Sequence, residues 1–505
     1  MLPRISLRRS FLYLLGVTCF LFLAVNMHQR ELWARSLLAA EMGPGGANPP
    51  HGAAGSRGSD NAQVADHVAI GTSSRLEAAV EEETSVKEQD IEEDQAGANQ
   101  GMVAATSISN GREDVPQEEE QGRPWYMSGG TRWPVPAAKI RKTGRRILRL
   151  WPHEDPGSDR ITNQLMFVPP VSSTGESNGH RLKKILIFNG LGSWAPLKPG
   201  RDVFTQARCP VDTCTVTSDK AQAADADAIL YKDHFVNPGH PRPPRQVWIL
   251  YFLECPYHTQ HVKFNDVFNW TATYRRDSDI VAPYERWAYY DERVKQNSRL
   301  DHNYAANKTK KVAWFVSNCG ARNRRLQYAH ELQKHISVDI YGACGSKKCP
   351  RSTAAKCFDM LDRDYKFYLA FENSNCKDYI TEKFFVNGLG RNVLPIVMGA
   401  RPEDYARTAP YRSYIHVDEF ESPQELAAYL HRLDADDDLY NSYFKWKGTG
   451  EFINTYFFCR LCAMLHDDFP NKSYRDVNDW WRGPGTCTGG SWRKAAKNLV
   501  SAPGG

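Results

Sequence analysis

The chain has 505 residues, a formal net charge of +5 from 64 Lys and Arg against 59 Asp and Glu, and 11% aromatic residues. That length exceeds one core, and its composition separates into an apolar start, a low-complexity region and a globular part of roughly 320 residues, enough for two domains. The charge is too mild and too scattered for a nucleic-acid partner, and no basic helix or RNA-binding signature is present.

Residues 1–10 carry Arg4, Arg8 and Arg9 ahead of an apolar run from Phe11 to Met27. A run of about 17 residues lies at the short end of what spans a bilayer as a helix. It ends in Ala-Val-Asn-Met-His-Gln-Arg with no small-residue cleavage site, which predicts an uncleaved signal-anchor over 11–27. Positive charge before the run leaves 1–10 cytoplasmic and the remainder luminal, a single-pass type II arrangement, and the short span suits early secretory membranes. Residues 28–124 are rich in Gly, Ala, Ser, Glu and Gln with acidic runs at Glu81–Glu83 and Glu118–Glu120, the composition of a disordered luminal stem. Residues 125–180, with Pro, Trp and Arg, form a transition.

Three glycosylation sequons, at Asn269, Asn307 and Asn471, agree with luminal placement. Of the 12 cysteines only Cys19 lies in the anchor, and the near neighbours Cys209/Cys214, Cys344 with Cys349 or Cys357, and Cys459/Cys462 are spaced to close small loops in an oxidising lumen. The connectivity stays open. An odd luminal number leaves at least one thiol free or intermolecular, so a homodimer could form through it or through the stem. Cys459-Arg-Leu-Cys462 reads as a disulfide or one half of a packed end, since no second pair has metal-ligand spacing.

Globular patterning begins with three apolar runs expected as buried parallel strands: 182–188, 226–231 and 247–253. They define an N-terminal domain over 181–306. A second series predicts strand 312–316, helix 324–336, strand 338–341, strand 367–371, helix 381–389, strand 394–398 and helix 423–433, the last capped by Ser422. This is a C-terminal domain over 307–470, with 471–505 as a tail. Two βα series joined by a linker imply an α/β fold of two Rossmann-like domains facing across a cleft. No G-x-G-x-x-G or Walker loop is present, so a dinucleotide or P-loop site lacks its fingerprint.

The segment Phe371-Glu-Asn-Ser-Asn-Cys-Lys-Asp-Tyr-Ile-Thr-Glu-Lys383 joins the carboxyl end of a predicted strand to the amino end of a predicted helix, where α/β sheets bind phosphates. Lys383 in the first helical turn is electrostatically misplaced unless an anion binds beside it, or unless it pairs with Glu382, Glu372 or Asp378. Asp434–Asp438 and Asp362-Arg-Asp364 resemble metal-binding D-x-D motifs, but they adjoin predicted helices and read as a solvated helix end and a loop.

The Phe371–Lys383 segment resembles the signature of the α1,3-fucosyltransferases, the inverting family 10 of glycosyltransferases, and the likeness continues through Asn387-Gly-Leu-Gly and Leu394-Pro-Ile-Val-Met-Gly399. Further similar stretches are Phe268-Asn-Trp, Tyr274-Arg-Arg-Asp-Ser-Asp279, Val312–Asn318 and Val338–Gly342, so the likeness covers about Lys184 to Cys462. The resemblance implies a GT-B fold, a GDP-fucose donor bound mainly by the C-terminal domain, and an acceptor side formed mainly by the N-terminal one. It implies that Lys383 and Arg325, with Arg322 as competitor, neutralise the diphosphate, and that Glu382, Asn373 and Tyr379 contact fucose, ribose or base. Glu254, at the end of a predicted strand in Phe252-Leu-Glu-Cys-Pro256, is the expected catalytic base; the family usually has Glu-Ser-Pro, so Cys255 departs from it. Glu254 capping a loop or pairing with a surface Arg, or Glu382 and Lys383 forming a structural ion pair, are the bland alternatives. No metal is required by this reading, and a divalent ion would at most stimulate.

Ser317–Asn323, Tyr365–Asn373, Thr381–Phe385, Lys445-Trp-Lys447 and Cys459–Cys462 are similar to the branch that fucosylates the innermost N-acetylglucosamine of N-glycans. The expected protein is a Golgi membrane enzyme acting on N-glycosylated glycoproteins. The runner-up is a Lewis-type enzyme acting on antennary N-acetyllactosamine, and a non-catalytic glycan-binding module is a distant third.

Overall fold

The computed structural model describes residues 122–136, 148–170, 181–468 and 472–495. The expected anchor, nearly all of the expected stem and the sequon at Asn471 lie outside the described residues. Among those described, no helix is long and apolar enough to cross a membrane.

A five-stranded parallel sheet is built from β1 (Lys183–Ile187), β2 (Cys214–Thr217), β3 (Ala228–Lys232), β4 (Val247–Phe252) and β5 (Trp270–Thr273) in the order β2-β1-β3-β4-β5. The three predicted apolar runs are the central strands β1, β3 and β4. The edge strands β2 and β5 read Cys-Thr-Val-Thr and Trp-Thr-Ala-Thr, and their polar alternate positions hid them from a search for apolar runs. Every residue of β4 is buried, as both faces of the sheet are covered. Ile185, Ile249 and Tyr251 face a core shared with Trp194, Phe457 and Phe458; Leu186, Leu250 and Phe252 face another shared with Tyr274, Tyr379 and Trp481.

The strand β6 (Arg286–Tyr289) leaves this sheet, and a second parallel sheet follows. It contains β7 (Lys310–Phe315), β8 (Val338–Tyr341) and β9 (Tyr365–Phe371). The short β10 (Asn375–Cys376) stands apart, and β11 (Leu394–Met398) and β12 (Ile415–His416) complete the order β12-β11-β9-β7-β8. Helix Arg325–Gln333 and helix Pro423–Ala435 cover it, the second capped by Ser422 accepting from the Glu425 N–H. The helix predicted over 381–389 is one α-turn, Glu382–Phe384, that widens into a π-turn, Phe385–Leu389. Gly388 lies there against Pro395, whose Cβ would be 2.9 Å from any added Cβ. Asp362–Asp364 is not a loop but the last turn of helix Ala354–Asp364, where Asp364 bonds Lys310 and Arg363.

The chain then returns to the first sheet. β13 (Gly450–Ile453) pairs antiparallel with β6, and helix Phe457–Leu465 packs on the first sheet although it belongs in sequence to the second domain. The expected tail is folded over its described residues. β14 (Cys487–Thr488) pairs with β10, and Trp481 is fully buried beside Phe252 and Tyr274.

The short-loop disulfides expected from spacing do not form. Cys459 and Cys462 lie one turn apart on a helix face turned to the first sheet, so each meets its own partner there: Cys209–Cys459 and Cys214–Cys462. Cys319–Cys344, Cys349–Cys357 and Cys376–Cys487 complete the set, and Cys255 is the free cysteine among the described residues. The sequon at Asn269 falls on a buried side chain beside β5: its Oδ1 accepts from the Trp248 N–H at 2.9 Å and its Nδ2 donates to the Lys472 carbonyl at 2.9 Å. Asn307 is exposed.

Candidate functional site

Glu254 stands two residues beyond β4. Pro256 opens a short turn, Pro256–His258, which folds the imidazole back over residues 254 and 255. Glu254 Oε1 accepts from the Cys255 N–H at 2.8 Å, from Asn373 Nδ2 at 3.2 Å and from the Tyr379 hydroxyl at 2.6 Å, and lies 3.6 Å from His258 Nδ1. All four contacts fall on one oxygen, so Oε2 stays available on a side chain that is 39% exposed. Burial pushes the Glu254 carboxyl up, but hydrogen bonds from His258, Tyr379, the Cys255 N–H and Asn373 outweigh it and bring the pKa down to about 2. Contacts with Cys255 and Glu254 raise His258 to about 10. Burial and the Glu254 charge hold the Tyr379 phenol well above its ordinary value, so it stays a donor.

In the second sheet, β9 ends at Phe371 and hands the chain to Glu372, which is fully buried. Its carboxylate accepts from the Thr381 N–H at 2.8 Å and the Thr381 hydroxyl at 2.9 Å, and Oε2 lies 3.3 Å from Lys383 Nζ. Lys383 Nζ also donates to Glu382 Oε1 at 2.8 Å. Burial alone would lower the Lys383 pKa; Glu372 and Glu382 raise it above the ordinary lysine value. Lys383 thus forms the ion pairs with Glu382 and Glu372 that the sequence offered as the alternative to a bound anion, and it sits between two carboxylates at the amino end of a helical turn. Gly399 allows this arrangement, because a Cβ there would lie 2.5 Å from Glu372 Cγ.

Arg325 and Arg322 divide. Arg325 is buried, donating from Nη1 to the Phe371 carbonyl at 2.7 Å and from Nη2 to the Asn318 carbonyl at 3.1 Å, while its Nε has no partner. It braces the carboxyl ends of β7 and β9. Arg322 is exposed, with its guanidinium 4.8 Å from the ring centre of Tyr257, a residue of the opposite domain.

The expected residues Glu254, Asn373 and Tyr379 thus meet directly, Glu382 and Lys383 form a second cluster through Glu372, and Tyr284 lies between the two. The Tyr284 hydroxyl donates to the Leu253 carbonyl at 3.0 Å, and burial, then the charges of Glu382, Glu254 and Glu372, hold its phenol well above the ordinary value. Tyr284 and His258 escaped the sequence reading, which had Glu372 only as a possible partner of Lys383. The Pro256 turn was the signal for His258; nothing local marked Tyr284. The arrangement can accept a proton at Glu254 and stabilise an anion near Lys383 and the arginines.

Comparison with known proteins agrees with this chemistry. The family model "Glycosyltransferase family 10 (fucosyltransferase) C-term" matches residues 305–480, and the "Fucosyltransferase, N-terminal" model matches 180–285. The chain is 64% identical over 397 residues to glycoprotein 3-alpha-L-fucosyltransferase A of Drosophila melanogaster, spanning 76% of this chain and 78% of that protein. It is 38% identical over 318 residues to alpha-(1,3)-fucosyltransferase C of the same organism, covering 57% and 73% of the two chains. A crystal structure of an alpha1,3-fucosyltransferase with GDP aligns at 16% identity and a TM-score of 0.40, over 62% of this chain and 96% of that one. The chain belongs to glycosyltransferase family 10, the fucosyltransferases.

Proposed function

We propose that the protein is an inverting fucosyltransferase that moves L-fucose from GDP-β-L-fucose, in α1,3 linkage, to the innermost N-acetylglucosamine of N-glycans on glycoproteins. The observation that carries the reading is Glu254, one oxygen fixed by donors from both domains on a side chain that stays 39% exposed. The acceptor class is supported by the 64% identity to a relative named glycoprotein 3-alpha-L-fucosyltransferase A.

In this reading the two sheets are the halves of a GT-B fold. The acceptor O3 attacks the fucose anomeric carbon from the face opposite GDP, the bond from that carbon to the β-phosphate oxygen breaks, and the O3 proton passes to Glu254 Oε2. A carboxylate with so low a pKa is a weak base, yet it is ionised at every physiological pH. It suffices because the attacking hydroxyl becomes strongly acidic once its oxygen bonds to carbon. Lys383 and Arg322 stabilise the charge that builds on departing GDP, and Arg325 holds the loops that present them. Asn373 and Tyr379 orient the base, and Glu382 fixes Lys383. The apolar run at 11–27 supports a type II Golgi membrane location with the catalytic domains luminal.

The test is transfer from GDP-fucose by the detergent-solubilised full chain, offered a glycopeptide with a trimmed mannose core and, separately, free N-acetyllactosamine. Linkage is read by mass spectrometry and glycosidase digestion. Fucose in α1,3 linkage on the Asn-linked sugar is expected; transfer to lactosamine alone would overturn the acceptor assignment.

A further inference from the structure

We propose that Glu254, Cys255 and His258 form a binding site for a soft divalent transition metal, Zn2+ foremost, and that the bound ion inhibits transfer. The inhibitory part rests on the reading of Glu254 as the base. The three side chains offer a carboxylate oxygen, a sulfur and an imidazole nitrogen, all within 4.8 Å of one another. Cys255 Sγ lies 3.4 Å from His258 Nδ1, and Nδ1 lies 3.6 Å from Glu254 Oε1. A tetrahedral zinc with Zn–S of about 2.3 Å and Zn–N and Zn–O of about 2.0 Å holds sulfur and nitrogen roughly 3.5 Å apart and nitrogen and oxygen roughly 3.3 Å apart. Two of the three ligand separations are therefore close to those the ion imposes before it arrives, and the third lies within 4.8 Å.

Thiolate with imidazole and carboxylate is a zinc-type donor set, and serine in place of Cys255 would remove its softest member. The surroundings also suit it. The Ser374 hydroxyl stands 3.1 Å from Cys255 Sγ, and Tyr379 and Asn373 already orient Glu254 Oε1, so the ligands have outer partners. The His258 side chain is 19% exposed and that of Glu254 39%, which opens a path from the cleft. The other comparable cluster among the described residues, Cys214, Cys462 and His466, has both sulfurs locked in a disulfide. Binding forms bonds from sulfur and Nδ1 to the metal and releases the thiol proton and any proton on Nδ1, so affinity rises with pH. The ion occupies the anchored oxygen of Glu254 and sets a double positive charge beside Oε2, which then no longer accepts the hydroxyl proton.

Co2+ titration of the solubilised full chain tests the site without turnover. Near-ultraviolet sulfur-to-cobalt absorption and strong visible bands of tetrahedral cobalt are expected, both displaced by Zn2+ and both absent from Cys255→Ser. Zn2+ is expected to inhibit transfer at least about tenfold more weakly in Cys255→Ser than in the natural chain. Should the variant fold poorly, Zn2+ protection of Cys255 from iodoacetamide, read by mass spectrometry on the natural chain, supplies the same evidence. Absence of the sulfur band, or of protection, would overturn the site whatever the role of Glu254. Sulfur-bound cobalt with undiminished transfer would overturn the inhibition and count against Glu254 as the base.

Discussion

The Tyr379 hydroxyl donates to Glu254 Oε1 at 2.6 Å, joining residues 125 apart in sequence that sit beyond strands of different sheets. The acceptor-side carboxylate is thereby oriented by the segment that carries Lys383. Tyr379→Phe removes one of the hydrogen bonds that keep the Glu254 pKa low, so that pKa rises. The acidic limb of the kcat/KM profile is expected to move to higher pH, with kcat reduced about tenfold. An unchanged limb in a pH–rate comparison would show that Tyr379 does not tune this carboxylate.

Lys383→Met leaves Glu372 fully buried without its cation. Loss of one partner of a buried pair costs about 3 kcal/mol, and the thermal midpoint is expected to fall. The pH dependence has a definite sign. Burial already raises Glu372, and removing Lys383 raises it further; a carboxyl raised on folding stabilises below its unfolded pKa and loses that contribution as pH climbs through the folded value. The variant should therefore lose more stability at pH 8 than at pH 5, and Glu372→Gln added to it should recover most of the loss. Differential scanning calorimetry at the two pH values reads both effects.

Non-reducing peptide mapping is expected to find Cys209 with Cys459 and Cys214 with Cys462. Replacing Cys214 and Cys462 together by serine should cost about 2 kcal/mol or less, since Cys209–Cys459 still closes nearly the same loop. Recovery of a Cys209–Cys214 peptide would contradict the packing of helix Phe457–Leu465 on the first sheet.

Glycopeptide mapping should find no glycan on Asn269, whose side chain is spent on Trp248 and Lys472. Asn269→Asp should destabilise the fold by about 1–3 kcal/mol through loss of a buried donor, and leave the glycan mass unchanged.

The sequence made the central strands legible because β1, β3, β4, β9 and β11 are short apolar runs, buried on both faces. It concealed β2 and β5, whose threonines sit at the sheet edges, and it kept residues 457–465 in the second domain by chain order, because a chain return leaves no local mark. Glu254, Asn373 and Tyr379 were found through resemblance, not through spacing. That their contacts converge on one oxygen of Glu254 depends on two loops meeting, which periodicity cannot express. Arg325 was expected as a phosphate ligand through the resemblance, yet its buried guanidinium spends Nη1 and Nη2 on backbone carbonyls.

The most direct measurement of the central claim is transfer by Glu254→Gln, run beside the natural chain with GDP-fucose binding followed by calorimetry. The isosteric amide keeps an oxygen for Tyr379 and the Cys255 N–H but cannot take up the acceptor proton. Donor affinity is expected within about threefold of the natural chain and kcat lower by about a thousandfold, within the range for a lost general base. Transfer at more than about a tenth of the natural rate, with donor binding intact, would contradict Glu254 as the base.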